Sequence, residues 1–300
     1  MSTLMAFVAQ VLHLLVVMVA APTLAGLSRV LADRLAGRDG PPLLQPWWEL
    51  ARLMRKQPVI AENASVVTRY APQLVLTVTL VTAMLAPGFT LGMALAPLGD
   101  TLTIAGLLVW ARLALLLAAT DAGTAEGGVA AIRASRIAFL AEPALLLVLL
   151  GLSALAGTGN LDAIIDGQRD GGLVNGAAIE MAIAALAILV WAAVATPPLD
   201  AAFSGRDLAM VHLSDDVRRV VWFTLVTTIA VPAGIAPPDA GPLAWALGLL
   251  AWVVRLTVAS GAMAGIGLLV GRTDARRALG VAALLGGLAL VLSLAGAGPA

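Results

Sequence analysis

The stretch Gly40–Ser65, GPPLLQPWWELARLMRKQPVIAENAS, lies between two long apolar segments. From Trp47 to Lys56 the apolar residues fall mainly on one side of a helix and the charged residues on the other, which is the pattern of an amphipathic helix. Pro46 suits its first turn, and a proline beyond Lys56 stops it. This helix, at about 46–57, is too short and too charged to cross a bilayer, but tryptophans and basic residues suit the headgroup layer. We expect it either to anchor a loop on the membrane or to dock a partner.

The composition of the whole chain is that of a membrane protein. Hydrophobic residues make up 60% of the 300 residues and charged residues 12%, whereas a soluble domain carries about a quarter charged residues. Repeated apolar runs predict an all-α integral membrane protein with about eight transmembrane helices, in a single domain over residues 1–300. The predicted spans are 4–28, 71–94, 102–120, 137–157, 177–196, 217–236, 242–270 and 277–297.

The composition also limits the chemistry that this chain can perform. The absence of cysteine excludes disulfides and any cysteine-ligated iron–sulfur cluster. Two well-separated histidines argue against a haem or a structural zinc site. The formal net charge is zero, and nothing resembles a nucleotide-binding loop. We therefore expect no cofactor bound by this chain and no nucleic-acid partner.

The basic residues favour one orientation in the membrane. Fifteen of the eighteen lie in or beside alternate loops, and the other three are Arg112, Arg169 and Arg255. By the positive-inside rule the basic loops are cytoplasmic and both termini face outward. The residues that set this orientation are Arg29, Arg34, Arg38, Arg52, Arg55, Lys56, Arg69, Arg133, Arg136, Arg206, Arg218, Arg219, Arg272, Arg276 and Arg277.

Three motifs on these loops resemble one family. GPPLLQP followed by a helix ending in Leu-x-Arg-Lys is similar to the first cytoplasmic loop of the complex I subunit 1 (NuoH-like) family. Arg133 stands nine residues before Glu142, as in that family, and Phe203-Ser-Gly is similar to its aromatic-Ser-Gly motif. The run AENASVVTRYAP resembles the hydrogenase branch, which comprises the membrane subunits of formate hydrogenlyase and other group 4 energy-converting NiFe hydrogenases (HycD/HyfC-like).

The resemblance implies a non-catalytic membrane anchor in the inner (plasma) membrane of a bacterium or archaeon. In the family this subunit is the foot on which a hydrophilic arm stands, and it has no redox centre of its own. The implied partners are a NiFe hydrogenase-like large subunit and iron–sulfur subunits, which carry the NiFe centre and the clusters, antiporter-like membrane subunits and the lipid bilayer. The implied role is to help couple electron transfer to proton or other ion translocation.

Two other functions stay open. One is the quinone-site subunit 1 of NADH:quinone oxidoreductase, with a quinone bound above Gln45–Lys56, although the AENAS run argues against it. The other is an independent secondary transporter. Such transporters often have paired broken helices at mid-membrane depth, and the sequence shows no such pair.

The candidate site residues lie mainly on three loops, Gly40–Arg69, Asp121–Glu142 and Asp200–Asp216, which we call the docking platform. The docking or quinone-like loop would use Gln45, Pro46, Trp47, Arg52, Arg55, Lys56, Glu62 and Arg69. The candidates for a proton path or for ion pairs are Asp121, Glu126, Arg133, Arg136, Glu142, Asp200, Arg206, Asp207, Arg112 and Arg255.

Charged groups at membrane depth are costly and usually functional. Glu142 is either a proton relay or an interface carboxylate paired with Arg133 or Arg136. Arg112 and Arg255 lie in mid-span, and each pairs with Glu142 or Asp121, snorkels, or bridges helices. For Arg255 we favour a structural or relay role facing the bundle over exposure to lipid.

We expect His13, in the first span, to be hydrogen-bonded to a neighbouring helix rather than to act as a ligand. His212, beside two aspartates, is predicted to be solvated.

The third loop of the docking platform departs from the family pattern. Only four residues separate Pro198 from Phe203, where the family has an acid-rich insert. Asp200, Asp207 and Asp121 remain as possible substitutes for its carboxylates. Docking is therefore better supported by the sequence than ion coupling.

Overall fold

The computed structural model describes residues 3–170, 176–195, 199–238, 240–270 and 275–296. Within these ranges the chain is helical, and its β-pairing is limited to two isolated bridges, Thr90 with Ala236 and Asp100 with Asn160. The α-helices are α1 (Thr3–Leu35), α2 (Gln45–Met54), α3 (Val66–Leu85), α4 (Thr101–Asp121), α5 (Ala125–Ala156), α6 (Leu161–Arg169), α7 (Gly176–Ala195), α8 (Gly205–Ala230), α9 (Pro242–Val270) and α10 (Ala275–Gly296).

The protein is an all-α integral membrane protein. Seven of the described helices, α1, α3, α4, α5, α7, α9 and α10, are long and apolar enough to span a bilayer. The remaining predicted span, 217–236, overlaps α8, whose charged residues distinguish it from the other seven. α8 packs against α1, α2, α3, α7 and α9, so most of its surface faces protein. Charged side chains are tolerated at membrane depth in such a position because they are shielded from lipid.

Two helices end well before the predicted span ends. α3 ends at Leu85 rather than near residue 94, and α8 ends at Ala230 rather than near 236. Prolines at positions 87 and 232 follow closely and cannot continue either helix. The apolar sequence that follows α3 forms buried, non-helical chain instead of helix over residues 86–91, and the non-helical chain that follows α8 becomes buried at Ile235 and Ala236. Hydropathy alone does not distinguish these two outcomes.

The two non-helical segments pair with each other inside the protein. The Leu91 amide donates to the Ala236 carbonyl at 3.0 Å, and the Ala236 amide donates to the Phe89 carbonyl at 2.9 Å. Irregular backbone at membrane depth is tolerated only where protein or water satisfies its polar groups. The expectation that no paired helix interruptions occur was therefore wrong, because each interruption lies within a continuous apolar run.

Three side chains, Gln10, His13 and Arg255, complete this hydrogen bonding, and we call them the carbonyl clamp. Arg255 is only 8% exposed, and it donates to the Val231 carbonyl at 3.0 Å and the Gly88 carbonyl at 3.1 Å. Because it lies about 20 Å along α9 from that helix's start, the clamp sits deep in the membrane. Arg255 therefore bridges helices, which is the structural role among those considered from the sequence.

The other two clamp residues belong to α1 and hold the end of α3. His13 Nε2 donates to the Ala83 carbonyl at 3.0 Å, so the histidine is hydrogen-bonded to a neighbouring helix as the sequence predicts. Gln10 donates to the Met84 carbonyl at 3.0 Å and accepts from the Leu95 amide at 3.1 Å. Gly88 is required beside them, since a Cβ there would lie 2.7 Å from the His13 ring.

Replacing Arg255 by methionine removes the donors for two carbonyls while keeping a long apolar side chain. We expect Arg255→Met to lower the free energy of unfolding by about 3 kcal/mol, because buried carbonyls are left unpaired. Thermal unfolding of the purified protein in detergent measures this loss. Arg136→Met, at an exposed position of α5, serves as the control and should unfold like the wild type. Equal unfolding of the two variants would contradict the clamp.

Candidate functional site

The three loops of the docking platform meet at one end of the helix bundle. Asp121, the last residue of α4, connects the second loop to the first. Its Oδ2 accepts from the Thr68 hydroxyl at 2.6 Å, the Ser65 amide at 2.9 Å and the Thr68 amide at 3.2 Å. A carboxylate that accepts from amides at a helix N-terminus stabilises that terminus. Asp121 thus fixes the start of α3, and its three bonds favour a structural role over a proton path.

The Phe203-Ser-Gly motif connects the third loop to the first through three different contacts. Phe203 is 8% exposed and packs in a small core with Ala71 and Val211. The Ser204 hydroxyl accepts from the Val59 amide at 2.7 Å and donates to the Val59 carbonyl at 3.1 Å. The segment Phe203–Gly205 therefore holds the chain that follows α2 in place, and we call this segment the clasp.

Any residue other than glycine at position 205 would require the backbone around it to move. The φ of Gly205 is 53°, in the left-handed region that favours glycine. A Cβ at this position would lie 2.3 Å from the Gln57 carbonyl oxygen. The next amide, that of Arg206, donates to the Lys56 carbonyl at 3.2 Å. The close approach of the two loops explains why the motif contains glycine here.

The amphipathic helix is present as α2, slightly shorter than predicted, and its apolar residues divide between two sides. Pro46 and Leu53 are buried, and Trp47 Nε1 donates to the Thr23 hydroxyl of α1 at 3.1 Å. Trp48 and Met54, in contrast, are 60% and 53% exposed. One apolar side therefore packs on the protein, and the other faces outward.

The charged residues of the first loop are mostly exposed. Glu49 lies 3.9 Å from Arg29 and 4.0 Å from Arg52, and such loose surface pairs contribute little to stability. Within the described ranges, no carboxylate lies within 4 Å of the other predicted basic residues of this loop. The exposed site residues of the loop are Arg52, Arg55, Lys56, Glu62 and Arg69, while Gln45 is half-buried.

In the second loop, Glu142 lies in a different environment from the other predicted charged residues. Arg133, Arg136 and Glu126 are exposed, and the described residues contain no ion pair within 4 Å between Glu142 and either arginine. Glu142 instead lines a cavity of about 20 Å³ together with Arg112. This volume suffices for about one water molecule. Two acidic partners were considered for Arg112. Glu142 lines the same cavity, whereas Asp121 is the last residue of α4.

The same cavity is lined by Arg218 of α8, which donates to Asp215 one turn earlier. Asp216 and Asp207, farther toward the platform, are 7% and 6% exposed. Charged residues thus continue from the cavity along α8 to the docking platform. Asp215, Asp216 and Arg218 are not among the site residues predicted from the sequence. Four charges in five residues at the start of an apparent span were the signal that could have identified them.

Asp200 and His212 form a contact within the third loop. His212 Nε2 lies 3.2 Å from Asp200 Oδ2, and His212 is half-buried. His212, which we expected to be solvated rather than catalytic, is thus only partly exposed, because the shortened loop brings Asp200 against the first turns of α8. The hydrogen bond to Asp200 raises the pKa of His212 above its ordinary value of 6.5. Arg206 is exposed, and only its amide takes part in the contacts between the loops.

Most of the predicted site residues thus lie toward one end of the helix bundle, and Arg255 lies apart from them. Arg255 belongs to the carbonyl clamp and not to the charged residues of α4, α5 and α8. Within the part of the chain that the structure describes, no group of three or more histidine, aspartate or glutamate side chains could hold a metal ion. Arg272 and the side chain of Arg276 lie outside the described residues.

Comparison with known proteins identifies the family. Residues 8–264 match the family described as NADH dehydrogenase. The chain belongs to the NADH dehydrogenase family. Within it, Escherichia coli (strain K12) formate hydrogenlyase subunit 4 is 30% identical over 201 residues, which cover 67% of this chain and 66% of that subunit. Hydrogenase-4 component C of the same organism is 27% identical over 228 residues, covering 72% of each chain.

A solved structure has the same fold. A chain of the membrane-bound sulfane sulfur reductase, an archaeal respiratory membrane complex, superimposes with a TM-score of 0.80 over 96% of this chain and 99% of its own, at 17% identity. The relatives agree with the resemblance to the hydrogenase branch of this NADH dehydrogenase family.

A methyl group at Gly205 tests the clasp. We expect Gly205→Ala to push the segment 56–59 away from α8 and to accelerate amide hydrogen exchange there by about tenfold or more. Gly128→Ala is the matched control, because open space surrounds that position in α5. If both variants leave exchange in 56–59 unchanged, the clasp does not hold the first loop.

The Asp200–His212 contact predicts a dependence on pH. Because the pKa of His212 is raised in the folded protein, the contact stabilises the fold fully below about pH 6.5 and is lost as the pH rises through the higher folded value. Amide exchange in 200–203, corrected for the intrinsic effect of pH, should therefore accelerate above pH 6.5. Asp200→Asn should abolish this dependence. A dependence that persists in Asp200→Asn would assign it to another group.

Proposed function

We propose that this NADH dehydrogenase-family protein is the membrane anchor subunit of a respiratory-type oxidoreductase complex of the hydrogenase type. Its docking platform binds a hydrophilic arm that contains a NiFe hydrogenase-like large subunit and iron–sulfur subunits. The observation that carries the proposal is the joining of three loops, distant in sequence, into one surface by Asp121, Ser204 and Gly205. The two relatives from hydrogenase and formate hydrogenlyase systems support it.

The surface chemistry of the platform supports docking. Trp48, Met54 and Val59 are more than half exposed, and Arg55 and Lys56 are exposed between them. Aromatic residues, methionine and arginine are enriched at the centres of protein interfaces. An acidic, partly apolar surface on the arm would complement this arrangement.

A series of charged residues connects the platform with the interior of the bundle, and it supports a role of this subunit in ion coupling. The series begins at the Glu142–Arg112 cavity and reaches the platform through Arg218, Asp215 and Asp216. A water in the cavity would connect Glu142 to this series. We propose that protonation changes along it accompany electron transfer in the arm. Antiporter-like membrane subunits would bind at the sides of the bundle and complete the ion path.

From the positive-inside rule we propose that the platform faces the cytoplasm at a bacterial or archaeal plasma membrane, with both termini on the other side. The arm would then lie in the cytoplasm, where its soluble subunits are assembled.

The alternative of a quinone-site subunit is favoured by the family match itself, which is to NADH dehydrogenase. The cavity of about 20 Å³ beside Glu142 is far smaller than the ~300–1,000 Å³ typical of ligand sites, so a quinone would have to bind elsewhere, as in the predicted site above Gln45–Lys56. Photolabelling of Gln45–Lys56 by a quinone analogue would support the alternative, and its absence would support the hydrogenase-type function.

Affinity purification from native membranes tests the proposed function. We expect the wild type to retain a NiFe-type large subunit, and the double substitution Arg55→Glu with Lys56→Glu to lower its yield about tenfold by reversing charge on the platform. Arg169→Glu reverses an exposed charge at the opposite end, in α6, and should leave the yield unchanged. A wild-type preparation without such a subunit would contradict the proposal.

A further inference from the structure

An apolar groove of about 430 Å³ runs between α1 and α9. Seven residues of α1 between Leu15 and Leu27 and four residues of α9 between Trp252 and Thr257 form its walls. Its volume lies in the range of about 300–1,000 Å³ that is typical of ligand sites. The groove shares no lining residue with the Glu142–Arg112 cavity, so the proposed function does not account for it.

The walls offer hydrocarbon contacts almost exclusively. The Thr23 hydroxyl donates to the Val19 carbonyl at 2.8 Å, and the Thr257 hydroxyl donates to the Val253 carbonyl at 2.9 Å. The Trp252 indole N–H is bonded to the Thr224 hydroxyl at 3.0 Å on the buried side. Because each polar side-chain donor in the wall already has a partner, the groove matches an alkyl chain rather than a polar ligand.

The length and position of the groove match one leaflet of a bilayer. From Leu15 to Leu27 the groove extends about 18 Å along α1, close to half of the ~30 Å hydrocarbon core. One end lies deep in the span, and α2 crosses the other, where Trp47 Nε1 donates to Thr23 at 3.1 Å. An alkyl chain in the groove would therefore have its polar end at α2.

The charge near that end favours an anionic headgroup. The sequence from Arg29 to Lys56 contains six basic and three acidic residues. The side chain of Arg29, about half a turn beyond the groove, is 46% exposed, lies 3.9 Å from Glu49 and also interacts electrostatically with Asp216.

We propose that this groove binds one acyl chain of an anionic phospholipid from the leaflet on the platform side, with the headgroup beside α2. The lipid would fill the space between α1 and α9 and would lie against α2. The docking platform would then rest partly on a bound lipid.

Photolabelling of the intact complex in its native membrane tests this site. The probe is phosphatidylglycerol with a diazirine in the middle of one acyl chain. We expect label on 15–27 and on 252–257, and about tenfold less label in Ala20→Trp, whose indole occupies the groove. Ala184→Trp, at an exposed alanine of α7, should retain the wild-type label at these positions. Ala20→Leu, a smaller change, should give an intermediate loss and keeps the test valid if the tryptophan variant does not fold.

Three results would overturn the proposal. Equal labelling of Ala20→Leu and wild type would show that the lipid does not enter the groove. Cross-links from 15–27 to a helix of another subunit would show that a protein covers it, and displacement of the label by a quinone analogue would assign the groove to quinone. Equal labelling by diazirine phosphatidylcholine would overturn the assignment of an anionic headgroup.

Discussion

The fold depends on supplying hydrogen-bond partners to backbone groups where helices stop. α3 shows this at both ends, because Asp121 of α4 binds the amides at its start, and His13 and Gln10 of α1 bind carbonyls near its end. Arg255 does the same for the chain that follows α3 and α8. Inside the membrane, as at the end of α3, such groups cannot bond to bulk water, so their partners must come from the protein. These polar side chains therefore stabilise the non-helical backbone at the ends of the helices.

The helical, membrane-spanning nature of the chain could be predicted from its apolar runs, and α9 has the predicted bounds. The ends of α3 and α8 could not, because Pro87 and Pro232 lie in runs whose hydropathy continues past them. Among the site residues, Asp121 and the Phe203-Ser-Gly motif could be located from the sequence, but their contacts depend on which loops approach each other. The Asp200–His212 contact was missed for that reason, since the two residues lie twelve positions apart in the chain.

The same constraint connects the fold to the proposed function. A surface that binds a large arm must keep its loops in fixed positions, and here side-chain bonds to backbone hold them: Asp121 fixes the start of α3, and Ser204 fixes Val59. The residues left exposed between these anchors, such as Trp48 and Arg55, are then available for a partner. The charged series from Glu142 to Asp216 lies behind this surface, which places any ion coupling directly beneath the docked arm.

The sequence offers a direct test, because Lys56 is the only lysine in the chain and is exposed on the platform. Apart from the chain's N-terminal amine, an amine-reactive cross-linker can therefore react only there. Cross-linking of native membranes followed by mass spectrometry should join Lys56 to a soluble subunit of the NiFe hydrogenase-like arm. Cross-links from Lys56 only to membrane subunits, in a sample where the arm is present, would contradict the account.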